Sequence, residues 1–249
     1  MSWKDHFSRW AEAYAAHRPT YPDALVDYLG SVAPARNIAW DCGCGSGQLS
    51  MLLVRQFRRV IAMDASAQLL ARAPRHESVE YRHARVEESG LEDDSVDLVV
   101  SAQAAHWFDL PSWYDEARRV ARRGAVIALV TYAVPTVNDE VDRALRDFHS
   151  RILAPFWPPE RRHVDAGYAS LPFPFVEIAA PRLEITREWT LDDTLAYIDT
   201  WSSVQALLSA GESTRLVEFR QSMASAWHPS GTKRVTFPVT IRAARISDT

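Results

Sequence analysis

Short runs of apolar residues recur along the first half of the chain, and stretches with helical spacing separate them. The apolar runs predict strands at about 37–41, 59–63, 79–83, 97–101 and 125–131. Helical patterns lie near 48–57, 66–73 and 112–121, and a further helix is predicted from Asp23 to Val32, ahead of the first strand. This alternation is typical of a parallel sheet whose strands are connected by helices. We therefore expect a doubly wound α/β sheet.

The pattern changes after Tyr132. Proline-rich stretches at 154–159 and 171–174 indicate insertions, and Leu191 to Ala226 has helical spacing with a predicted break at Gly211. Alternation of apolar and polar residues returns at 182–189 and 234–246. Two late strands that flank helices predict an antiparallel end to the sheet.

The first predicted strand ends in an acid that is followed by three alternating glycines, in the order Asp41, Gly43, Gly45 and Gly47. Glycines allow positive φ and a close approach of the backbone to a ligand, and the following helix directs free N–H groups toward that ligand. The second strand ends in Asp64, about 20 residues later, where dinucleotide-type sites place the acid that binds ribose hydroxyls. Together these features predict an adenosine site.

The spacing of the glycines restricts the type of adenosine ligand. A dinucleotide site favours G-x-G-x-x-G, but Gln48 stands where the last glycine would be. No Lys-Ser/Thr pair follows the turn, so a P-loop is also disfavoured. We expect a ligand that carries adenosine and a tail other than a diphosphate. A nicotinamide-linked oxidoreductase and an ordinary glycine-rich turn stay as the less favoured alternatives.

The D-x-G-x-G-x-G pattern with its strand-end acid closely resembles the class I S-adenosylmethionine (SAM) methyltransferases. The resemblance implies a Rossmann-like, mostly parallel sheet of seven strands with an antiparallel last strand and a helical lid insertion. It also implies SAM as cofactor, S-adenosylhomocysteine as product and no metal. In that family the glycine turn lies against the methionine moiety, and the acid that matches Asp64 binds the ribose.

Two further patterns resemble the type 11 methyltransferases and, within them, the trans-aconitate methyltransferase-like group. They are Phe7, Trp10, Ala11 and Tyr14 leading into 18–22, and the run 103–109 after the fourth strand. In that group the amino-terminal helix covers the cofactor, which makes Tyr14 and Arg18 candidates to contact the SAM carboxylate. Alternatively, the aromatic residues of this segment only pack the helix onto the core.

The resemblance implies one domain over 1–249. Within it we expect a cofactor-covering segment at 1–22, a SAM-binding core at 37–131, and lid insertions at 134–180 and 190–228. After the third strand, Val86 would supply an N–H to adenine and Arg85 would lie over the ring, although the glycine and alanine common there are absent. The predicted SAM-binding residues are Tyr14, Arg18, Asp41, Gly43, Cys44, Gly45, Gly47, Asp64, Ala65, Arg85, Val86 and Gln103.

The methyl-transfer site is predicted from the run after the fourth strand. Gln103, His106 and Trp107 occupy the place where the family positions residues that face the transferred methyl group. His106 would orient the acceptor or act as a base. The alternative is that His106 caps a turn and Trp107 packs beneath the sheet.

The acceptor is less well defined. Nine tryptophans predict an aromatic-walled cavity, although large aromatics also form cores. The run 161–163, Arg-Arg-His, could bind carboxylates or be a solvated loop, and 201–203 resembles a lid motif of the group. We expect a small-molecule acceptor, with carboxylate O-methylation slightly ahead of N- or other O-methylation. A SAM-binding protein without catalysis is the alternative.

Composition agrees with this interpretation. The 249 residues are 47% hydrophobic with a net charge of -4, so a sizeable core is expected and no global field attracts nucleic acid. No apolar run is long enough to span a membrane and no signal peptide is recognised, so we expect a cytoplasmic protein. Cys42 and Cys44 are too close for an ordinary disulfide and are expected to be reduced packing residues.

Overall fold

The computed structural model describes residues 18–246, and these form two compact units. The larger unit contains residues 20–133, 162–183 and 239–246, and the smaller contains 18–19, 134–161 and 184–238. Tyr14 and the rest of the predicted amino-terminal helix lie outside the described residues.

Apart from β6, the strands of the described residues lie at or near the predicted positions. They are β1 (Ile38–Cys42), β2 (Arg59–Asp64), β3 (Val79–His83), β4 (Val96–Ala102), β5 (Ala121–Tyr132), β6 (Glu177–Ile178), β7 (Leu183–Trp189) and β8 (Lys233–Arg245). The helices are α1 (Asp23–Val32), α2 (Ser50–Leu53), α3 (Ala67–Leu70), α4 (Leu110–Val120), α5 (Asp139–Asp147), α6 (Arg161–Asp165), α7 (Leu191–Asp199), α8 (Ser202–Ser209) and α9 (Ser213–Ala226). Short 3-10 turns span Val86–Glu88, Ala105–Trp107 and Ala154–Phe156, and a π-helical turn spans Phe148–Ile152.

The sheet of the larger unit has the order β3-β2-β1-β4-β5-β8-β6. Strands β1 to β5 pair in parallel, whereas β8 is antiparallel to β5, from Val126 opposite Arg245 to Tyr132 opposite Val239. This confirms the predicted mostly parallel sheet with an antiparallel last strand. The strand order reverses between β1 and β4, and ligands of open α/β sheets bind beyond the carboxyl ends of the strands at such a point.

The outer edge of the sheet differs from the prediction by one strand. A single strand was expected near 182–189, but β6 and β7 both pair with β8 and are separated by 179–182, which includes Pro181. Proline has no N–H to donate and is confined to edges and interruptions of a sheet. The sheet therefore has an eighth strand because its edge is interrupted between β6 and β7.

Helices α2 and α3 are shorter than the predicted helices at 48–57 and 66–73. After α2 the chain continues as turns, with the N–H of Gln56 donating to the carbonyl of Leu53 at 2.9 Å. Helix α3 begins at the cap Ser66, whose hydroxyl accepts from the N–H of Leu69 at 3.3 Å. Pro74 follows it closely, and a proline disfavours helical backbone at the residue before it.

The core of the larger unit explains the unbroken apolar runs. Strands β1, β2, β4 and β5 are central, and Trp40, Met63, Leu98 and Ile127 on them are fully buried. Parallel strands are covered on both faces, so successive residues are apolar instead of alternating. Strand β3 lies at the edge of the sheet and is only partly buried.

The smaller unit is mainly helical. Phe148 and Phe219 stack with their ring centroids 3.8 Å apart. The predicted break at Gly211 is confirmed, because this residue has φ +81° and separates α8 from α9. A second break, between α7 and α8, was not predicted. No helix among the described residues is both long and apolar enough to cross a bilayer.

Candidate functional site

The glycine turn follows β1 directly and is tied to the end of β2. The N–H groups of Gly43 and Cys44 both donate to the carbonyl of Met63, at 2.8 and 2.9 Å. Gly43, Gly45 and Gly47 have φ of +72°, +57° and +79°, which is the left-handed region that favours glycine. The backbone conformation of the turn is by itself sufficient to require glycine at these three positions.

Asp64, at the carboxyl end of β2, holds the same turn through its side chain. Its Oδ2 accepts a hydrogen bond from the N–H of Gly45 at 2.8 Å, and its Oδ1 accepts from the N–H of Ser66 at 2.7 Å. A carboxylate oxygen has a second acceptor site, so Asp64 can hold the turn and still accept from ligand hydroxyls. The sequence indicated only the contact with a ligand.

The three glycines differ in what surrounds them. A Cβ on Gly43 would overlap the Cβ of Ala104, and a Cβ on Gly47 would overlap the hydroxyl of Tyr81. Among residues 18–246, no atom outside the two adjoining residues lies within 4 Å of a Cβ built on Gly45. Gly43 and Gly47 are therefore packed against protein, whereas the space beside Gly45 is left open by the described part of the chain.

Asp41 lies under the turn and is almost completely buried, with 1% of its surface exposed. The hydroxyl of Ser50 donates to its Oδ2 at 2.6 Å. Burial raises the pKa of Asp41 to about 7, and the charge of Asp64 adds to this increase while the Ser50 hydrogen bond opposes it. Ser50 was not predicted as part of the site, because its spacing from Asp41 has no recognised signature.

The two cysteines of the turn are free and buried. Burial raises the pKa of both thiols well above its usual range, so Cys42 and Cys44 are protonated at neutral pH. This agrees with the prediction that they are packing residues with reduced thiols.

The residues predicted to bind adenine, Arg85 and Val86, lie after β3, and the predicted cofactor-binding residue Ala65 follows β2. Val86 is buried at the start of a 3-10 turn, whereas Arg85 is exposed and its Nε lies 3.2 Å from the carboxylate of Glu87. The carbonyl of Ala65 lies 3.1 Å from Nε2 of His83. The structure thus brings Ala65 and the end of β3 together beside Asp64.

Gln103 follows β4 and has φ +59°, which is uncommon for a residue other than glycine. Its side-chain Nε2 donates to the carbonyl of Tyr132 at 3.1 Å, and its Oε1 accepts from the hydroxyl of Thr131 at 2.9 Å. Its backbone N–H donates to the carbonyl of Val130 at 2.9 Å. Gln103 is therefore fastened to the end of β5 by three hydrogen bonds.

His106 and Trp107 lie on the next turn, with their ring centroids 4.7 Å apart. Nδ1 of His106 lies 2.9 Å from the hydroxyl of Tyr168, a residue for which the sequence gave no signal. Because Ala104 contacts Gly43, the run that contains these residues lies beside the glycine turn. The structure therefore brings the predicted methyl-transfer residues and the glycine turn together.

Other predicted residues lie in the smaller unit. The guanidinium of Arg18 is 5.6 Å from the ring centroid of Tyr197. The guanidinium of Arg161 is 4.4 Å from the ring centroid of Trp157, which lies 5.6 Å from that of Trp201. These contacts define an aromatic cluster in which arginine guanidinium groups lie over the rings.

The remaining residues of the basic run belong to the larger unit. Nδ1 of His163 lies 2.8 Å from the hydroxyl of Ser170, and Nε of Arg162 lies 3.5 Å from Nε2 of His163. In the part of the chain that the structure describes, no group of three or more histidine, cysteine, aspartate or glutamate side chains could hold a metal ion.

Comparison with known proteins gives a consistent result. The profile of the methyltransferase domain family matches residues 40–129. A Dictyostelium discoideum protein named as a methyltransferase is 30% identical over 227 residues, which are 90% of this chain and 86% of that protein. A solved structure, described as a type II methyltransferase from Anaeromyxobacter dehalogenans, is 48% identical with a TM-score of 0.87, and the match covers 94% of this chain and all of that one. A malonyl-[acyl-carrier protein] O-methyltransferase of Pectobacterium atrosepticum is 39% identical over 101 residues, 40% of each chain.

Proposed function

Because the chain belongs to the SAM-dependent methyltransferases, we propose that it transfers the methyl group of SAM to a small molecule and that the favoured acceptor is a carboxylate. The family fixes the cofactor and the class of reaction. The size of the acceptor and the group that is methylated are our inferences from the residues around the turn and from the chemistry of the relatives.

The residues of the turn fit SAM. Gly45 borders space that the described residues leave open, and the Asp64 carboxylate at its side can accept hydrogen bonds from ribose hydroxyls. SAM carries a positive sulfonium, and two carboxyl groups, those of Asp41 and Asp64, lie at this end of the sheet. This pairing of an open glycine with a strand-end acid is the observation that carries the proposal.

We assign to SAM the residues of the turn and of the strand ends beside it. They are Asp41, Gly43, Cys44, Gly45, Gly47, Asp64, Ala65, Arg85, Val86 and Gln103. Within this set, Gly43 and Gly47 act by shaping the turn, because protein atoms fill the space next to them. Tyr14 and Arg18 remain predictions from the resemblance.

SAM supplies a methyl group on a sulfonium that is already activated for displacement, so the protein mainly has to align the acceptor and exclude water. In this proposal Gln103 fixes the end of β4 through its hydrogen bonds to Thr131 and Tyr132. His106 orients the acceptor or takes its proton, and the indole of Trp107 covers the acceptor side.

A carboxylate is the favoured acceptor because it is already ionised at neutral pH and no base has to remove a proton. The partial match to a malonyl-[acyl-carrier protein] O-methyltransferase supports this choice, since a malonyl group ends in a carboxyl. That match covers 40% of the chain, so it supports the chemistry of the acceptor and not its identity.

The test is transfer of a radiolabelled methyl group from SAM to a panel of di- and tricarboxylic acids, with amines and phenols of similar size alongside. We expect the labelled product to be a methyl ester, which is hydrolysed by added alkali. His106→Ala should lower turnover by about 10-fold or more, as the loss of a hydrogen bond to a charged group predicts. The matched control is His76→Ala at an exposed position, which should keep full turnover. A product that is stable to base would contradict carboxylate methylation.

A further inference from the structure

Asp41 is a buried carboxyl that has no cation beside it among residues 18–246. It is 1% exposed, and the hydroxyl of Ser50 donates to its Oδ2 at 2.6 Å. No lysine, arginine or histidine of these residues forms an ion pair with it. Because an ionised carboxylate is strongly disfavoured away from water unless a cation accompanies it, such a group either takes up a proton or requires a cation from outside the protein.

Asp41 lies on the same face of the sheet as Asp64. In the parallel pairing of β1 with β2, Asp41 is opposite Ala62, two residues before Asp64. Side chains alternate along a strand, so those of Asp41, Ala62 and Asp64 share one face. The glycine turn starts at Gly43, only two residues after Asp41. Asp41 is therefore the buried acid next to the turn that we assign to SAM.

We propose that Asp41 is a specificity-determining residue that distinguishes SAM from S-adenosylhomocysteine by charge: its carboxyl is protonated in the free protein and loses the proton to the solvent when the positive sulfonium of SAM binds. S-adenosylhomocysteine has a neutral thioether in place of the sulfonium, so it leaves the proton on Asp41. This role rests on the proposed function, because it requires SAM at the glycine turn.

The surroundings of Asp41 supply negative charge and no positive charge in the part of the chain that the structure describes. The titratable groups that interact with it are Asp64 on β2, Tyr81 on β3, and the thiols of Cys42 and Cys44. Burial raises the pKa of both thiols well above the usual range and that of Tyr81 to about 12, so these three groups are neutral. The pKa of Asp41 is raised to about 7, first by burial and then by the charge of Asp64. The neighbouring strand β4 places Val100 opposite Asp41, and α2 contributes Ser50, neither of which is titratable.

A positive charge near an acid lowers the pKa of that acid, because it stabilises the ionised form. Protons and SAM therefore compete, and the affinity for SAM should rise with pH while the affinity for S-adenosylhomocysteine stays constant. If the sulfonium lowers the pKa of Asp41 by about one unit, the ratio of the two affinities rises about 6-fold from about pH 5.5 to about pH 7.5. After methyl transfer the positive charge is gone, so Asp41 takes a proton from the solvent and no longer favours the bound ligand.

The test is calorimetric titration of the wild type with SAM and with S-adenosylhomocysteine at about pH 6.5, in two buffers that differ in ionisation enthalpy. The difference in heat between the buffers gives the number of protons released on binding. The α-amino groups of both ligands are protonated at this pH, so the ligands themselves release almost none. We expect about half a proton to be released per SAM and almost none per S-adenosylhomocysteine. Equal proton release by the two ligands would overturn the proposal.

Asp41→Asn assigns the released proton, because it keeps the shape of the side chain and cannot ionise. The assignment is needed since histidines also change charge near this pH. In Asp41→Asn the release on SAM binding should disappear, and the ratio of the two affinities should stay constant with pH. The matched control is Asp93→Asn, which removes a carboxyl that is 73% exposed beside Arg119 and should release protons as the wild type does. Release that persists in Asp41→Asn would contradict the role of Asp41.

Infrared difference spectra of the wild type provide a second measurement that does not depend on the folding of a variant. With ¹³C-labelled aspartate carboxyl groups, the C=O band of a protonated aspartic acid is identified by its isotope shift. At about pH 6.5, SAM should remove this band and S-adenosylhomocysteine should leave it. A band that neither ligand changes would overturn the role of Asp41 alone. If the wild type binds neither ligand, the proposed function fails as well.

Discussion

Asp64 holds the glycine turn and, in our proposal, also accepts hydrogen bonds from the ligand. Its two oxygens accept from the N–H groups of Gly45 and Ser66, so the carboxylate is oriented before any ribose is present. A side chain that is already fixed loses little conformational freedom when a ligand binds. The residue is therefore preorganised for the contact that the sequence predicted.

The glycines of the turn provide a test at the residue scale. Gly45→Ala should cost only about 1–2 kcal/mol of stability, the typical cost of left-handed backbone, because the new Cβ would overlap no atom of residues 18–246. The affinity for SAM should nevertheless fall about 10-fold or more, since the methyl group occupies the proposed ligand space. Denaturant unfolding and calorimetry measure the two effects.

Gly47→Ala is the matched comparison. Its Cβ would overlap the hydroxyl of Tyr81 as well as adopting left-handed backbone, so it should destabilise the protein by more than Gly45→Ala. If Gly45→Ala bound SAM as tightly as wild type, Gly45 would not border the cofactor.

At the residue scale, the sequence predicted positions better than contacts. Asp41, the glycines and Asp64 were identified from their spacing, since backbone requirements leave a local signature. The link between His106 and Tyr168 spans 62 positions in the chain. Such a pairing depends on the packing of distant segments and has no local pattern.

At the scale of the elements, an acid at the start of β4 fixes the start of β1. Asp97 is 0% exposed, and its Oδ2 accepts from the N–H groups of Asn37 and Ile38 at 2.8 and 3.0 Å. Its Oδ1 lies 3.7 Å from Nη1 of Arg122. The carboxylate thus satisfies two backbone donors where the central strands begin.

Asp97→Ala should lower the free energy of unfolding by about 2–4 kcal/mol, because it leaves two partly buried N–H groups without their carboxylate acceptor. Urea unfolding measures the change. The matched control is Asp93→Ala, whose side chain is 73% exposed beside Arg119 and should change stability by less than about 1 kcal/mol. Similar losses in the two variants would show that Asp97 does not anchor β1.

The elements themselves were predicted well where the pattern was strong. The central strands were found because burial on both faces gives continuous apolar runs. Helix α2 was predicted too long, because Gln48 and Leu49 fit a helical pattern but follow the glycine turn. Strand β5 begins at Ala121, earlier than predicted, because the turn that Arg122 and Gly124 suggested is an irregularity within the strand: Gly124 has φ +77°, and the register with β4 shifts between Ala121 and Val126.

At the scale of the whole molecule, the buried carboxyl of Asp41 couples stability to pH. Burial raises its pKa from 3.8 to about 7. The folded protein therefore holds this proton more tightly than the unfolded chain, and stability from this group falls as pH rises from about 4 to about 7. The full effect is on the order of 4 kcal/mol.

Asp41→Asn removes this titration. Unfolding free energies measured from pH 4 to pH 8 should fall less steeply with rising pH in the variant than in wild type, with the difference confined to the range below about pH 7. Parallel curves for the two proteins would contradict a raised pKa for Asp41. Ser50→Ala, which removes a hydrogen bond to the ionised form, should extend the decline to higher pH.

The central claim is that the glycine turn and Asp64 bind SAM. Calorimetric titration with SAM, S-adenosylhomocysteine and NADH tests it most directly, using wild type, Asp64→Ala and the control Glu80→Ala on the neighbouring strand β3. The claim predicts micromolar binding of the first two ligands, weakened about 10-fold or more in Asp64→Ala and unchanged in Glu80→Ala. Absence of binding by wild type, or a preference for NADH, would contradict it.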